Sequence, residues 1–254
     1  MIMADLLNIL LVAFILCQGL RAAPLKDDFD VDEDYRRKYP EEFGDLYEGD
    51  IEVDSFRNGV IDKARLWPGG KVYYVIDTNS NYTANIVPNI KKAMALFQQN
   101  TCIQWIERTH QTRYVKIWRG KGCSSAVGMK KKPQRLSLGS GCGGVGTVIH
   151  EMLHTVGFVH EQSRPDRDEY VTINYENIKD GAAYNFNKKS NEHFQTLGAP
   201  YDYLSIMHYG RRAFSKNRKD TITPKKDPKQ QLGQRKGFTK IDIEKVNKLY
   251  NCKV

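Results

Sequence analysis

Five residues between 150 and 160 have the types and spacing of a zinc site. His150 and His154 are four residues apart, so a helix would place both imidazoles on one face. Both could then hold one zinc ion at about 2.0–2.1 Å. Glu151 lies beside the first ligand and could take a proton from the water that such a metal acidifies. A positive φ at Gly157 would turn the chain back and make His160 the third ligand.

Two segments give this pattern a family resemblance. HEMLHTVGFVHEQSRPDRDEYV, from residue 150 to residue 171, resembles the astacin branch of the metzincin metalloproteases, and SIMHY (205–209) resembles the Met-turn of that family. The resemblance implies a secreted zinc endopeptidase with one Zn²⁺ per chain that hydrolyses proteins or peptides. It also implies that Met207 forms an apolar floor under the metal. Tyr209 would be a phenol ligand that leaves the metal to stabilise the oxyanion.

The resemblance extends over residues 58–254 and implies a fold. RLWPGG (65–70), CSSAVG (123–128) and NKLYNC (247–252) resemble the opening segment, cysteine-rich loop and closing helix of astacin-like domains. The implied fold class is α+β, a two-lobed protease domain. A twisted sheet and two long helices would form the N-terminal lobe, and the C-terminal lobe would be mostly irregular and end in a helix.

Local patterns predict elements that agree with such a fold. KVYYVI (71–76), Thr101–Glu107 and Tyr114–Trp118 are typical of strands. Apolar residues at helical spacing from 86 to 97 predict a helix that ends near Asn100. The glycine-rich stretch 139–146 leads into an apolar helix that carries the histidines. Thr239, with Asp242 three residues later, predicts the capped start of a last helix.

The N-terminal residues predict export. The chain has 254 residues, 40% hydrophobic and 27% charged, which excludes a wholly disordered chain and a polytopic membrane protein. The apolar run of eleven from Leu6 to Leu16 is too short to span a membrane and suits a signal peptide, residues 1–22, with cleavage after Gly19 or Ala22. Secretion makes the sequon at Asn81 a candidate glycosylation site.

Cysteine usage agrees with an oxidising compartment. Cys17 lies in the leader, which leaves four cysteines that could pair in three ways. The family pairing, carried over, joins Cys102 to Cys252 and Cys123 to Cys142. Residues 143–251 contain no cysteine, so we expect no appended cysteine-rich module. Without a spare cysteine in the exported chain, a monomer is favoured.

Residues 23–57 are predicted to be an acidic inhibitory pro-segment. Residues 21–57 carry 13 acidic against 6 basic side chains, and LYEGD (46–50) resembles the latency element of the family, with Tyr47 near the position where Phe is common. The resemblance implies that Asp50 binds the zinc in the latent form and that an activating protease cuts after Arg57. The new amine of Asn58 would then lie near Glu161 and pair with its carboxylate. The alternative interpretation is that Glu161 is a plain surface residue.

The basic charge of the predicted mature domain raises the question of partners. Residues 58–254 carry 33 basic against 16 acidic side chains, a net of +17. In similar proteases the stretches that contain Lys130 and Arg235 border the pocket for the residue after the scissile bond. We therefore expect a preference for acidic P1′ residues; the alternative is a neutral pocket with these side chains in solvent.

A rival function is a non-catalytic zinc protein that binds acidic glycans, but the intact Glu151 argues against it. Acidic glycans remain candidate partners of the enzyme as well. Nucleic acid is not expected as a partner because the basic runs lack interleaved aromatic residues, and no segment after residue 16 resembles a membrane span. Digestion, hatching, matrix processing and reproductive-fluid proteolysis are all open as physiological roles.

Overall fold

The computed structural model describes residues 27–53, 63–77, 79, 86–191 and 195–253. The predicted signal peptide, the predicted activation site at Arg57 and Asn58, and the sequon residue Asn81 lie outside the described residues. Contacts divide the chain into two compact units, Met1–Asp34 and Tyr35–Val254. A helix, α1, spans Asp27–Lys38, and every site described below belongs to the second unit.

A five-stranded sheet is the frame of the N-terminal lobe. It contains β1 (Lys71–Ile76), β2 (Gln104–Glu107), β3 (Val115–Trp118), β4 (Cys123–Ser125) and β5 (Gln134–Leu138) in the order β2-β1-β3-β5-β4. Neighbouring strands are parallel except β4, which pairs antiparallel with β5 and forms one edge of the sheet. The strand predicted from Thr101 begins later because the Thr101 hydroxyl caps the preceding helix by donating to the carbonyl of Phe97.

Two helices pack with this sheet. In α2 (Ile86–Asn100) the side chains that recur at helical spacing are the buried ones: Ile86, Ile90, Ala93, Met94 and Phe97. Helix α3 (Val145–Thr155) is buried along nearly its whole length and shares one apolar cluster with α2 and the sheet. The histidine-bearing helix therefore lies in the core of this lobe, where its side chains are held by packing on every face.

The C-terminal lobe is mostly irregular, as the resemblance implies. It contains the antiparallel pair β6 (Val171–Ile173) and β7 (Ile222–Pro224), which packs in a second apolar cluster. The last helix, α4 (Lys240–Tyr250), begins at the predicted capping box, in which the Thr239 side chain accepts from the Asp242 amide and the Asp242 side chain accepts from the Thr239 amide. The α+β two-lobed fold is thus confirmed.

Two disulfides join Cys102 to Cys252 and Cys123 to Cys142, the pairing that the resemblance implies. The first connects the end of α2 with the residues that follow α4. Within the described part of the chain, no helix is both long and apolar enough to cross a bilayer.

Residues 35–53, the described part of the acidic segment that belongs to the second unit, pack on the rest of that unit. Tyr35 and Tyr39 are buried, and the backbone of residues 50–52 lies parallel to the edge strand β4. The Ser125 amide donates to the Asp50 carbonyl, and the Glu52 amide donates to the Ser125 carbonyl, both at 2.9 Å. These bonds use the open side of β4 and bring Asp50 to the histidines.

Candidate metal centre and catalytic site

Helix α3 and the turn that ends it position the three histidines. His150 and His154 point from one face of the helix, with ring centroids 4.9 Å apart. The helix ends in a Schellman motif, in which the Gly157 amide donates to the carbonyl of His154 and the Phe158 amide to that of Leu153. Gly157 has a φ of 112°, a conformation that side-chain-bearing residues rarely adopt and that the sequence pattern predicts.

Beyond this turn, His160 returns to the same point in space. Its ring centroid lies 4.8 Å from that of His154 and 5.2 Å from that of His150. The next residue is fixed by the Met-turn segment, because the Glu161 amide donates to the carbonyl of Met207 at 3.0 Å. Met207 is 3% exposed and belongs to the apolar cluster of the N-terminal lobe.

Asp50 completes a group of four side chains with the spacing of a tetrahedral ion site. The Nε2 atoms of His150 and His160 are 3.3 Å apart. Asp50 Oδ2 lies 3.0 Å from Nε2 of His150, and Oδ1 lies 3.4 Å from Nε2 of His154. Four ligand atoms at about 2.05 Å from one ion would be about 3.3 Å from one another. The observed spacing therefore fits one zinc ion.

The hydrogen bonding of the group supports the same conclusion. All four side chains are fully buried. Within the described residues, Nε2 of His154 and Oδ1 of Asp50 have no hydrogen-bond partner. Buried polar atoms without a partner are costly, and a cation between them would satisfy both. Three imidazoles and one carboxylate are also the nitrogen and oxygen donors that zinc prefers.

A tight turn over residues 46–50 delivers Asp50. Glu48 and Gly49 have φ values of 48° and 86°, and the Gly49 amide donates to the carbonyl of Leu46. Burial disfavours the charged form of Asp50, but the neighbouring His160 and His154 outweigh it and hold the pKa of Asp50 well below its usual range. Asp50 is therefore ionised at neutral pH, as a metal ligand must be.

Glu151 lies in the same buried space and has no partner. Within the described residues, no group donates a hydrogen bond to either oxygen of its carboxylate. Burial raises the pKa of Glu151 well above its usual range, and the negative charges of Asp50 and Glu41 raise it further. Both of these charged residues belong to the acidic stretch of residues 35–53.

Tyr209 lies beside the ligands, but its hydroxyl is engaged elsewhere. Its ring centroid is 4.7 Å from that of His160, and its hydroxyl donates to the backbone carbonyl of Glu48 at 2.7 Å. The phenol is fully buried, and burial together with the charges of Glu48 and Asp50 raises the pKa of Tyr209 well above its usual range. Tyr209 is therefore a neutral hydrogen-bond donor held by the backbone of Glu48.

Glu161 is buried, at 3% exposure, so the alternative of a plain surface residue is wrong. Its carboxylate pairs with Arg164 at 3.0 Å and with Lys245 of α4 at 2.5 Å. It also accepts from the Asp202 amide at 3.0 Å. Glu161 and Lys245 line a cavity of about 790 Å³ whose wall also includes Lys63 and Leu66.

The two predicted specificity residues, Arg235 and Lys130, both face acidic side chains of residues 35–53. The Nε atom of Arg235 donates to Glu41 at 2.6 Å, and the Arg235 side chain is only 6% exposed. Glu41 and Glu42 are each 1% exposed. Lys130 lies 3.7 Å from Glu52. Arg235 therefore does not extend into solvent, and its site holds a carboxylate.

Sequence reasoning missed several acidic and basic partners. Glu48 pairs with His160 and Lys189, and Glu41 pairs with Arg235. A signal for Glu48 existed, since it lies inside the latency element next to Gly49. No local pattern marks Lys189, which lies in an irregular stretch 141 residues after Glu48.

Comparisons with known proteins agree with this fold and this donor set. Residues 59–251 match the peptidase family described as Astacin. Zinc metalloproteinase nas-15 of Caenorhabditis elegans is 42% identical over 208 residues, which cover 81% of this chain and 36% of that protein. High choriolytic enzyme 1 of Oryzias latipes is 41% identical over 215 residues, which cover 82% of this chain and 78% of that protein.

A solved structure of high choriolytic enzyme 1, described as a hatching enzyme zinc-protease from Oryzias latipes, superimposes with a TM-score of 0.70 at 40% identity. It covers 80% of this chain and all of that one. The chain spans about a third of nas-15 and about three quarters of the choriolytic enzyme. The fold is that of the zinc metalloproteases, and the buried group of three histidines and Asp50 is compatible with one zinc ion. Within that class, the chain belongs to the astacin family of zinc metalloendopeptidases.

Proposed function

We propose that the chain is a secreted zinc endopeptidase that is made as a latent zymogen. The observation that carries the proposal is the group of three histidines and Asp50 at zinc-site spacing, with the unpartnered Glu151 beside it. The proposed boundaries are a signal peptide over 1–22, a pro-segment over 23–57 and a protease domain over 58–254. The apolar leader and the two disulfides support export to an oxidising compartment.

In the mature enzyme, His150, His154 and His160 would hold the metal, and Glu151 would move the protons. Zinc, when bound, supplies a Lewis acid that acidifies water and polarises the scissile carbonyl. Glu151 accepts a proton from the attacking water and then donates it to the leaving amine. Tyr209, released from the Glu48 carbonyl, donates a hydrogen bond to the developing oxyanion.

Latency would follow from occupation of the same site by the pro-segment. Asp50 takes the position of the attacking water, and residues 50–52 cover the edge strand β4 on which a substrate backbone could pair. Cleavage after Arg57 by an activating protease would allow this segment to leave.

The new N-terminus would enter the cavity that Glu161 lines. Arg164 and Lys245 already pair with the Glu161 carboxylate, so an ammonium group there would be a third cation beside it and not the partner that the carboxylate lacks. Lys63 and Leu66 in the cavity wall lie five and eight residues after Asn58, a short enough distance along the chain for the amine to reach it.

Arg235 would give the enzyme a preference for acidic residues after the scissile bond. The pairing of Arg235 with Glu41 in the latent form supports this, because the arginine already recognises a carboxylate in a buried setting. Lys130 would reinforce the positive potential of the pocket. The exposed lysines of the domain make acidic glycans candidate partners. The sequon at Asn81 makes that residue a candidate glycan carrier in a secreted chain. A monomer is favoured because all four cysteines after the leader are paired.

A casein cleavage assay on protein that starts at Asn58 tests the proposed activity. We expect cleavage that a zinc chelator abolishes and that added zinc restores, and no cleavage by Glu151→Ala. The matched control is Glu107→Ala, which removes an exposed glutamate on β2. Activity that survives in a zinc-free His154→Ala protein would overturn the assignment, and so would a Glu151→Ala protein as active as the Glu107→Ala control.

A further inference from the structure

The three histidines differ in what holds their second ring nitrogen. With Nε2 turned toward the ligand group, each Nδ1 carries the hydrogen and donates it. His150 donates to the carbonyl of Ile206 and His154 to the carbonyl of Phe158, both at 2.8 Å. Both acceptors are backbone atoms of the protease domain. His160 donates instead to the Glu48 carboxylate of the pro-segment, also at 2.8 Å.

Glu48 is held in place from several directions. Its side chain is fully buried, and its second oxygen pairs with the Lys189 ammonium at 2.7 Å. Its amide donates to the side chain of Asn185 at 2.9 Å, and its carbonyl accepts from Tyr209. Its φ of 48° is unfavourable for a residue with a side chain and persists only where surrounding contacts enforce it.

A carboxylate behind a metal-binding imidazole has two effects. It fixes the orientation and the tautomer of the ring, and its charge makes the nitrogen that faces the metal more basic. A backbone carbonyl also fixes the orientation and the tautomer of the ring, but it does little to raise the basicity of the nitrogen that faces the metal. His160 therefore has the strongest of the three outer partners, and this partner leaves with the pro-segment while the carbonyls behind His150 and His154 stay.

We propose that Glu48 is a positioning residue that the pro-segment supplies to the metal site, orienting His160 and strengthening zinc binding in the latent form independently of Asp50. The proposal rests on the proposed function, since it assumes that this segment is later removed. Lys189 pairs with the second oxygen of Glu48 at 2.7 Å and thereby holds the carboxylate in position behind His160. Zinc loading is then favoured before activation, and release of Glu48 loosens the third ligand in the mature enzyme.

Zinc affinity in a double-mutant cycle tests this role. The full chain carries Glu151→Gln so that it cannot process itself, and zinc binding is measured by competition with a chelator of known affinity. The cycle compares Glu48→Gln, Asp50→Asn and the double variant. The matched control is Glu52→Gln, on the same segment, whose carboxylate contacts Lys130 and Ser124 and, among the described residues, no histidine.

We expect Glu48→Gln to weaken zinc binding about ten- to a hundredfold. A similar factor should persist in the Asp50→Asn background, whereas Glu52→Gln should have little effect. The Nδ1 proton of His160 should also give a slowly exchanging downfield NMR signal that shifts in Glu48→Gln and persists in Asp50→Asn.

Two results would overturn the proposal. One is unchanged zinc affinity in Glu48→Gln. The other is an effect of Glu48→Gln that disappears in the Asp50→Asn background, because Glu48 would then act only by delivering Asp50. The proposed function is tested separately, by measuring the peptidase activity of protein that starts at Asn58 and has Glu151 intact. No activity in that protein would contradict the proposed function without bearing on the zinc affinities.

Discussion

Glu151 and Tyr209 would contribute unequally to peptide hydrolysis, since Glu151 moves protons in two steps and Tyr209 donates one hydrogen bond. In protein that starts at Asn58, we expect Glu151→Ala to lower kcat about ten thousandfold. Tyr209→Phe should lower it about a hundredfold, because zinc still polarises the carbonyl. Steady-state kinetics at equal zinc content checks this. Equal losses in the two variants would contradict the separate roles.

Arg235 is expected to select acidic residues after the scissile bond. A contact between arginine and a carboxylate in a partly desolvated pocket is worth about 1.5–3 kcal/mol, or about ten- to a hundredfold in selectivity. Profiling the cleavage of a peptide library should show acidic enrichment that Arg235→Ala removes. The control is Lys236→Ala, an exposed neighbour. Enrichment that persists in Arg235→Ala, or none in the unmodified enzyme, would reject this role.

The zinc ligands could be predicted from sequence because their spacing is local. The three histidines fall within eleven residues, on one helix and the turn that follows it. The glycine between the last two histidines marks where the helix must end. Glu48 could not be assigned in this way. Its contact with His160 joins residues 112 positions apart, and only the folded chain shows that a buried imidazole hydrogen needs that acceptor.

At the scale of elements, hydrogen bonds join the start of α4 to the Met-turn segment, residues 205–209. Asp242 caps the helix and also accepts from the Ser205 hydroxyl at 2.6 Å and the Ile206 amide at 3.1 Å. Ile206 in turn holds His150 through its carbonyl. The predicted capping box is therefore confirmed, but the sequence pattern did not reveal that the same carboxylate supports the metal site.

We expect Asp242→Ala to lower the free energy of unfolding by about 3 kcal/mol, since one cap and two further hydrogen bonds to a buried charge are lost together. Glu244→Ala, an exposed change on the same helix, should cost less than about 0.5 kcal/mol. Denaturant titration of both variants measures the difference. A loss in Asp242→Ala no larger than about 1 kcal/mol, the value of the cap alone, would contradict the double role.

Across the whole molecule, the proposed latency would depend on several contacts of residues 35–53, of which the contact of Asp50 is only one. We expect the full chain to be inactive and Asp50→Ala to raise its basal peptidase activity at least about tenfold, which corresponds to losing about 1.4 kcal/mol of docking. The control is Asp45→Ala, which removes an exposed carboxylate of the same segment. Fluorogenic peptide cleavage before any processing measures this, and a full chain as active as the protein starting at Asn58 would contradict the inhibitory role.

The two disulfides close loops of very different length, and this difference predicts how much each contributes to stability. Cys102 and Cys252 are 150 positions apart, and Cys123 and Cys142 are 19 apart. In the chain-entropy model, closing the longer loop stabilises the folded state by about 5 kcal/mol and closing the shorter one by about 3 kcal/mol. Replacing both cysteines of the longer loop by serine should therefore lower the free energy of unfolding by about 2 kcal/mol more than the same change in the shorter loop. Denaturant unfolding of the two double-serine variants, each carrying Glu151→Gln to prevent self-cleavage, measures this difference. A larger loss in the Cys123 and Cys142 variant would show that local packing around β4, and not loop entropy, sets the contribution of these bonds.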